Sequence, residues 1–228
     1  MAGAARAVGL PYRTVWHWCH DRPEPKKVGT ATRCFRCQPS ATVDEPAYAY
    51  LLGLYLGDGH LVNSARVPVL RIACADAWPG LIEACDQAMR AVLAAKVQRV
   101  RKQGCVSVQS YGTHWPCLLP QHGPGKKHER PIVLTDWQRD IVAAHPGPFL
   151  RGLFHSDGAR FSNRVKVRGR YYVYPRYMFV NHSADIMGLC QWALDLLGIA
   201  WRMNRPVSLS VARRDAVALL DRYVGPKN

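Results

Sequence analysis

The sequence predicts an α+β protein made of two pseudo-symmetric halves, preceded by a small segment of another kind. Three observations support this. Residues 51–59 (LLGLYLGDG) and 150–158 (LRGLFHSDG) match at Leu, Gly, Leu, Asp and Gly. The matching aspartates, Asp58 and Asp157, stand 99 positions apart (157 − 58), room for a small domain repeated once. After each copy come both a basic stretch of strand-like alternation and an apolar pattern at helical spacing. Strands mixed with helices on one face argue for α+β rather than a parallel sheet.

Residues 1–45 differ in composition and pattern. Ala5, Gly9 and Val15 have the spacing of a helix-turn-helix, whose second helix would present Tyr12, Arg13 and His17 to a major groove. A plain helical hairpin is the alternative. Cys34-Phe35-Arg36-Cys37 is a C-x₂-C half-site for structural zinc, with Cys19 and either His20 or His17 as further ligands. Such an ion would pin the Pro-rich run from Arg22 to Pro39, which has no core of its own.

Each motif copy reads as a helix of about two to three turns, opening near Pro46 or Pro148 and closing at Gly59 or Gly158. Gly53 and Gly152 would let another backbone approach closely, a reason to keep glycine where it costs roughly 1 kcal/mol of helix propensity. Asp58 and Asp157 then sit at the negative end of the helix dipole. Two such helices packed through their glycines would bring both carboxylates together, an arrangement that calls for a cation such as Mg²⁺. The bland alternative is an ordinary Asp-Gly turn after a buried helix.

Lys96–Gln103 and the following Gly104–Gln109 read as a basic β-hairpin, and so does Arg164–Tyr174, with its turn near Gly169. Arg99, Arg101, Gln103 and Gln109 in the first, and Arg164, Lys166 and Arg168 in the second, are candidate DNA contacts. Helices are expected over Trp78–Leu93, Thr135–Ala144, Ala184–Leu197 and Arg213–Tyr223. Between the halves, His114, Cys117, His122 and His128 form a candidate second zinc site, or a Pro-stiffened basic linker. Cys74, Cys85, Cys105 and Cys190 fall in apolar patterns and are expected in the core.

With 31 Lys+Arg against 16 Asp+Glu, the formal net charge is +15, which points to a nucleic-acid partner. No stretch nears the roughly 18 apolar residues of a transmembrane helix, so a protein of the cell interior is expected.

The paired motifs resemble those of LAGLIDADG homing endonucleases in their single-chain, two-motif form. The resemblance implies two αββαββα halves packed through their motif helices, residues 46–130 (with a linker) and 131–228. It implies a metal-dependent endonuclease with Asp58 and Asp157 as catalytic ligands of Mg²⁺ or Mn²⁺, beside Gly57 and Ser156. It further implies a long, asymmetric double-stranded DNA target, no membrane partner, a monomer, and a cytoplasmic, nucleoid-associated setting in a prokaryote. Lys102, Gln103, Lys166 and Arg168 are candidates for activating water. At the motif's earlier acidic position this sequence has Leu56 and His155. The alternative function is a DNA-binding transcription regulator that kept the fold and lost the chemistry.

Overall fold

The computed structural model describes residues 34–63, 66–225 and 227. Contacts divide the chain into Met1–Arg33 and Cys34–Asn228. The expected helix-turn-helix residues Tyr12, Arg13 and His17, and the candidate ligands Cys19 and His20, lie outside the described residues.

Helix α1 (Glu45–Asp58) opens where the Asp44 side chain accepts a hydrogen bond from the Ala47 amide at 2.9 Å, with proline in the first turn. Strands β1 (Gly59–Val62) and β2 (Val69–Ala75), helix α2 (Pro79–Val92), and strands β3 (Gln98–Lys102) and β4 (Cys105–Tyr111) complete the first half. A single helical turn, α3 (Trp115–Leu118), a 3₁₀ turn (Lys127–Glu129) and α4 (Asp136–Ala144) lead to the second half. That half runs α5 (Pro146–Asp157), β5 (Gly158–Val167), β6 (Arg170–Val180), α6 (Ala184–Leu196), β7 (Arg202–Arg205), β8 (Ser208–Val211) and α7 (Arg214–Val224). The sheets share one antiparallel topology, β1-β2-β4-β3 and β5-β6-β8-β7. The duplication read from the motifs thus extends to strand order.

The motif helices are longer than expected, 14 and 12 residues, and α5 begins at Pro146 rather than near Pro148. Proline lacks only an amide that the first turn leaves unbonded anyway, so both prolines fit there. From Tyr48 to Leu56 every residue of α1 is buried, as befits a helix covered on all sides. It packs on α5 through glycine. A Cβ on Gly53 would lie 2.8 Å from the Leu153 amide nitrogen and 2.9 Å from Gly152 Cα. A Cβ on Gly152 would lie 2.8 Å from the Leu54 nitrogen and 2.9 Å from Gly53 Cα. This reciprocal contact is what a twofold relation between the helices produces.

Cys74, Cys85 and Cys190 are buried, whereas Cys105 is only half-buried at the start of an edge hairpin. Among the described residues no helix is long and apolar enough to cross a membrane.

Candidate active site

Each motif helix ends on its aspartate, and the next residue opens a strand. Glycine packing upstream brings these ends together: a Cβ on Gly57 would stand 3.1 Å from Asp157 Oδ2 and collide with the Ser156 side chain. Burial, and then the charge of Asp157, push the Asp58 carboxyl up to about 6. Burial also raises Asp157, opposed by the Asn181 amide, whose Nδ2 donates to Oδ2 at 2.7 Å, and by Lys127 and Lys227. A cavity of about 470 Å³ opens here, lined among others by Gly57, His60, Lys127, Asp157 and Asn181. Asp157 lines this cavity and Asp58 lies beside it at the end of the other motif helix; two partly desolvated carboxylates so placed fit a hard divalent cation, whose charge would offset their repulsion.

The cations that act on both acids are Lys127 and Lys227, not the expected Lys102, Gln103, Lys166 or Arg168. Lys127 Nζ donates to the Tyr55 carbonyl and, at 2.7 Å, to that of Gly57, so it caps the C-terminal end of α1. Lys227 Nζ donates to the Gly158 carbonyl at 2.6 Å. Burial lowers Lys127 to about 8, although both acids pull it upward. Burial likewise lowers Lys227 against the same pull. The lysines are 100 positions apart (227 − 127), nearly the spacing of the aspartates, and both follow glycine by two residues.

The neighbours of the acids have other work. The Gly57 carbonyl accepts from Lys127, and Ser156 Oγ turns back to donate to Gly152 O at 3.1 Å. Leu56 is wholly buried. His155 lies between Tyr50 Oη, 3.0 Å from Nδ1, and the Val224 carbonyl, 2.9 Å from Nε2. The carbonyl can only accept, so Nε2 carries the proton and Nδ1 accepts from the tyrosine. Burial and Arg151 lower this imidazole to about 4, so it is neutral near pH 7 and serves packing.

Strand register reassigns several candidate DNA contacts. Arg99 and Arg101 stand opposite the buried Val108 and Val106, on the face toward α2. Arg99 donates there to Glu83 at 2.6 Å and Asp86 at 2.9 Å. The opposite face has the exposed Gln98 beside the largely covered Gln109, joined at 3.1 Å, and then the half-buried Arg71 and the exposed His60 across the sheet. Gln103 lies in the hairpin turn. In the second sheet, Arg164 and Lys166 share the face of Arg160, which grips Asp221 of α7 at 2.7 and 2.9 Å. Arg164 stacks 3.8 Å from the centre of the Tyr171 ring. Arg168 is in the turn, at φ 46°, followed by Gly169 at φ 79°, as a two-residue type I′ connection needs. The open face of that hairpin holds Asn163, Arg170, Tyr172, Tyr174 and Arg176. Tyr172 and Tyr174 stack there with centroids 6.3 Å apart.

Among the described residues, members of both expected zinc sites meet, while Cys19, His17 and His20 lie outside them. Cys34, Cys37, His114 and Cys117 come together, with ligand atoms all within 4.8 Å of one another. His122 and His128 are not in this group: burial, then Arg130 and His60, lower the His122 imidazole, and His128 lies 3.8 Å from Glu129 and faces the ring of His182.

No protein-family model matches the sequence, and no curated protein matches it. Among solved structures, meganuclease I-SmaMI bound to uncleaveable DNA aligns with a TM-score of 0.51 at 10% identity, covering 78% of this chain and 84% of that one. Meganuclease I-AabMI bound to uncleaved DNA aligns at 0.49 and 13% identity, over 77% and 83% of the two chains. The N-terminal LAGLIDADG domain of DUF199/WhiA aligns at 0.47 and 12% identity, over 81% and 84%. With its duplicated halves and paired motif helices, this chain has the LAGLIDADG fold.

Proposed function

We propose that this protein is a site-specific double-stranded DNA endonuclease of the homing type, dependent on Mg²⁺ or Mn²⁺. One observation carries the reading: both terminal acids are present at adjoining helix ends, both are raised by desolvation, Asp58 also by the charge of Asp157, and two half-buried lysines act on both. A pure DNA binder gains nothing from desolvated carboxylates facing phosphates. Asp58 and Asp157 would hold the metal, which when bound lowers the pKa of water and stabilises the leaving 3′ oxygen. Lys127 and Lys227 hold the helix ends in place. Near pH 8 a depressed lysine can also take up and return a proton beside the scissile phosphate.

The open sheet faces supply recognition. Gln98, Gln109 and Arg71 are suited to base edges and phosphates, and Arg71 Nε is buried without a partner among the described residues. Arg170, Arg176 and the two stacked tyrosines offer charge and aromatic surface on the other half. The halves differ in sequence, so the site they read is asymmetric. A DNA-binding regulator is the competing outcome. The test exposes a host-genomic or randomised DNA library to the full chain with Mg²⁺ or Mn²⁺ and sequences the ends. Discrete double-strand breaks, absent with Asp58→Asn and Asp157→Asn, are expected. Binding without breaks in either metal would overturn the proposal in favour of the regulator.

A further inference from the structure

We infer that Cys34, Cys37, His114 and Cys117 together bind one zinc ion, which clasps the segment before α1 to the turn after β4. The inference is independent of whether the acids cut DNA. Cys37 Sγ lies 3.6 Å from Cys117 Sγ, and Cys117 Sγ lies 3.9 Å from His114 Nδ1. A tetrahedron with Zn–S near 2.3 Å and Zn–N near 2.0 Å has edges of about 3.5–3.8 Å. The S–S edge already falls in this range, the S–N edge is longer by a few tenths of an ångström, and with all four ligand atoms within 4.8 Å of one another only a small contraction is needed.

The backbone presents both halves in the same way. Cys34 and Cys37 are three residues apart, and the amide of Cys37 donates to the Cys34 carbonyl at 3.0 Å. His114 and Cys117 have the same spacing, and the Cys117 amide donates to the His114 carbonyl at 3.1 Å. Each turn therefore aims its first and fourth side chains to one side. Three sulfurs and one imidazole select a soft-tolerant tetrahedral ion and reject Mg²⁺ or Ca²⁺.

The fold gives such an ion something to do. Between Cys34 and Val43 only Cys34 is fully buried, so this stretch has little core to hold it. Phe35 packs edge-on against Tyr48 and Trp137, and Tyr48 Oη donates to the Leu118 carbonyl at 2.6 Å. The clasp closes a long loop across these contacts, linking residues 80 positions apart.

The full chain, purified with a phosphine reductant and no chelator, should contain one zinc per molecule by elemental analysis. Cobalt exchanged into it should show the intense visible bands of a tetrahedral ion with thiolate charge transfer. Cys37→Ser/Cys117→Ser should lose that equivalent and the charge-transfer band, and Cys19→Ser/His20→Ala should keep both. Should the first variant fail to fold, the cobalt spectrum of the unaltered chain still decides. Folded protein that takes up no zinc, a six-coordinate cobalt spectrum, zinc lost with Cys19 and His20, or a Cys37–Cys117 disulfide in freshly isolated protein would each overturn the assignment.

Discussion

Asp58→Asn removes a charge and keeps the shape of the side chain, and its effect on stability should depend on pH. The native carboxyl titrates at about 6 instead of the ordinary 3.8, first because burial strips its water and second because Asp157 repels it. A folded-state pKa above the unfolded one means that the protonated form favours folding. That contribution is complete below about pH 4 and is lost as pH rises through about 6. At about 1.4 kcal/mol per pKa unit a fully enclosed carboxyl would cost about 3 kcal/mol, but Asp58 is exposed to solvent, and screening leaves its ionisation weakening the metal-free fold by about 1 kcal/mol near pH 8. Asp58→Asn escapes this loss. Relative to the natural chain it should gain about 2–4 °C in Tm between pH 4 and pH 8. Thermal unfolding of both proteins in chelator, followed by circular dichroism at the two pH values, measures the difference. Added Mg²⁺ should then raise the Tm of the natural chain near pH 8 and leave the variant unmoved. An equal Tm difference at both pH values would refute the electrostatic reasoning.

Gly53→Ala should destabilise the fold by about 1–3 kcal/mol or more in urea unfolding, because its Cβ meets backbone atoms of α5 that cannot yield unless the helices part. This outweighs the roughly 1 kcal/mol that alanine gains in helix propensity, and an unchanged midpoint would count against the glycine contact. Lys127→Met removes a charge that lowers Asp58, so the pH midpoint for Mg²⁺ binding should move upward while DNA affinity in Ca²⁺ stays within a few-fold. Calorimetric titration across pH would show it, and an unmoved midpoint would contradict it. Gln109→Ala should lose about 1–3 kcal/mol of discrimination at one position of the target, read by selection from a randomised site. Arg99→Ala should leave specificity intact and lower stability only modestly, since its pair with Glu83 is exposed and the buried Asp86 keeps Arg90 as a partner.

The duplicated helices and hairpins were legible because their signals are local: Asp-Gly after an apolar run, alternation, and glycine at a turn. Alternation shows which residues share a face but not which face a helix covers. Hence Arg99 and Arg101 read as DNA contacts although the acids of α2 hold Arg99 on the inner side. On this edge strand the inward positions are arginines and an outward one is Val100, so polarity misleads. Lys127 and Lys227 lie outside the motifs and the alternating stretches, yet their repeat of the aspartate spacing after Gly125 and Gly225 was a usable signal. The cysteine half-sites were visible individually. Which half meets which is decided by tertiary packing across 80 positions, and spacing does not encode it.

Diffraction from crystals of the full chain with its mapped DNA site, grown in Mn²⁺, tests the central claim most directly. The account predicts anomalous density within about 2.0–2.6 Å of carboxylate oxygens of both Asp58 and Asp157, in contact with a phosphate. Density bound elsewhere, or a DNA complex in which Lys127 and Lys227 alone neutralise those acids, would contradict it.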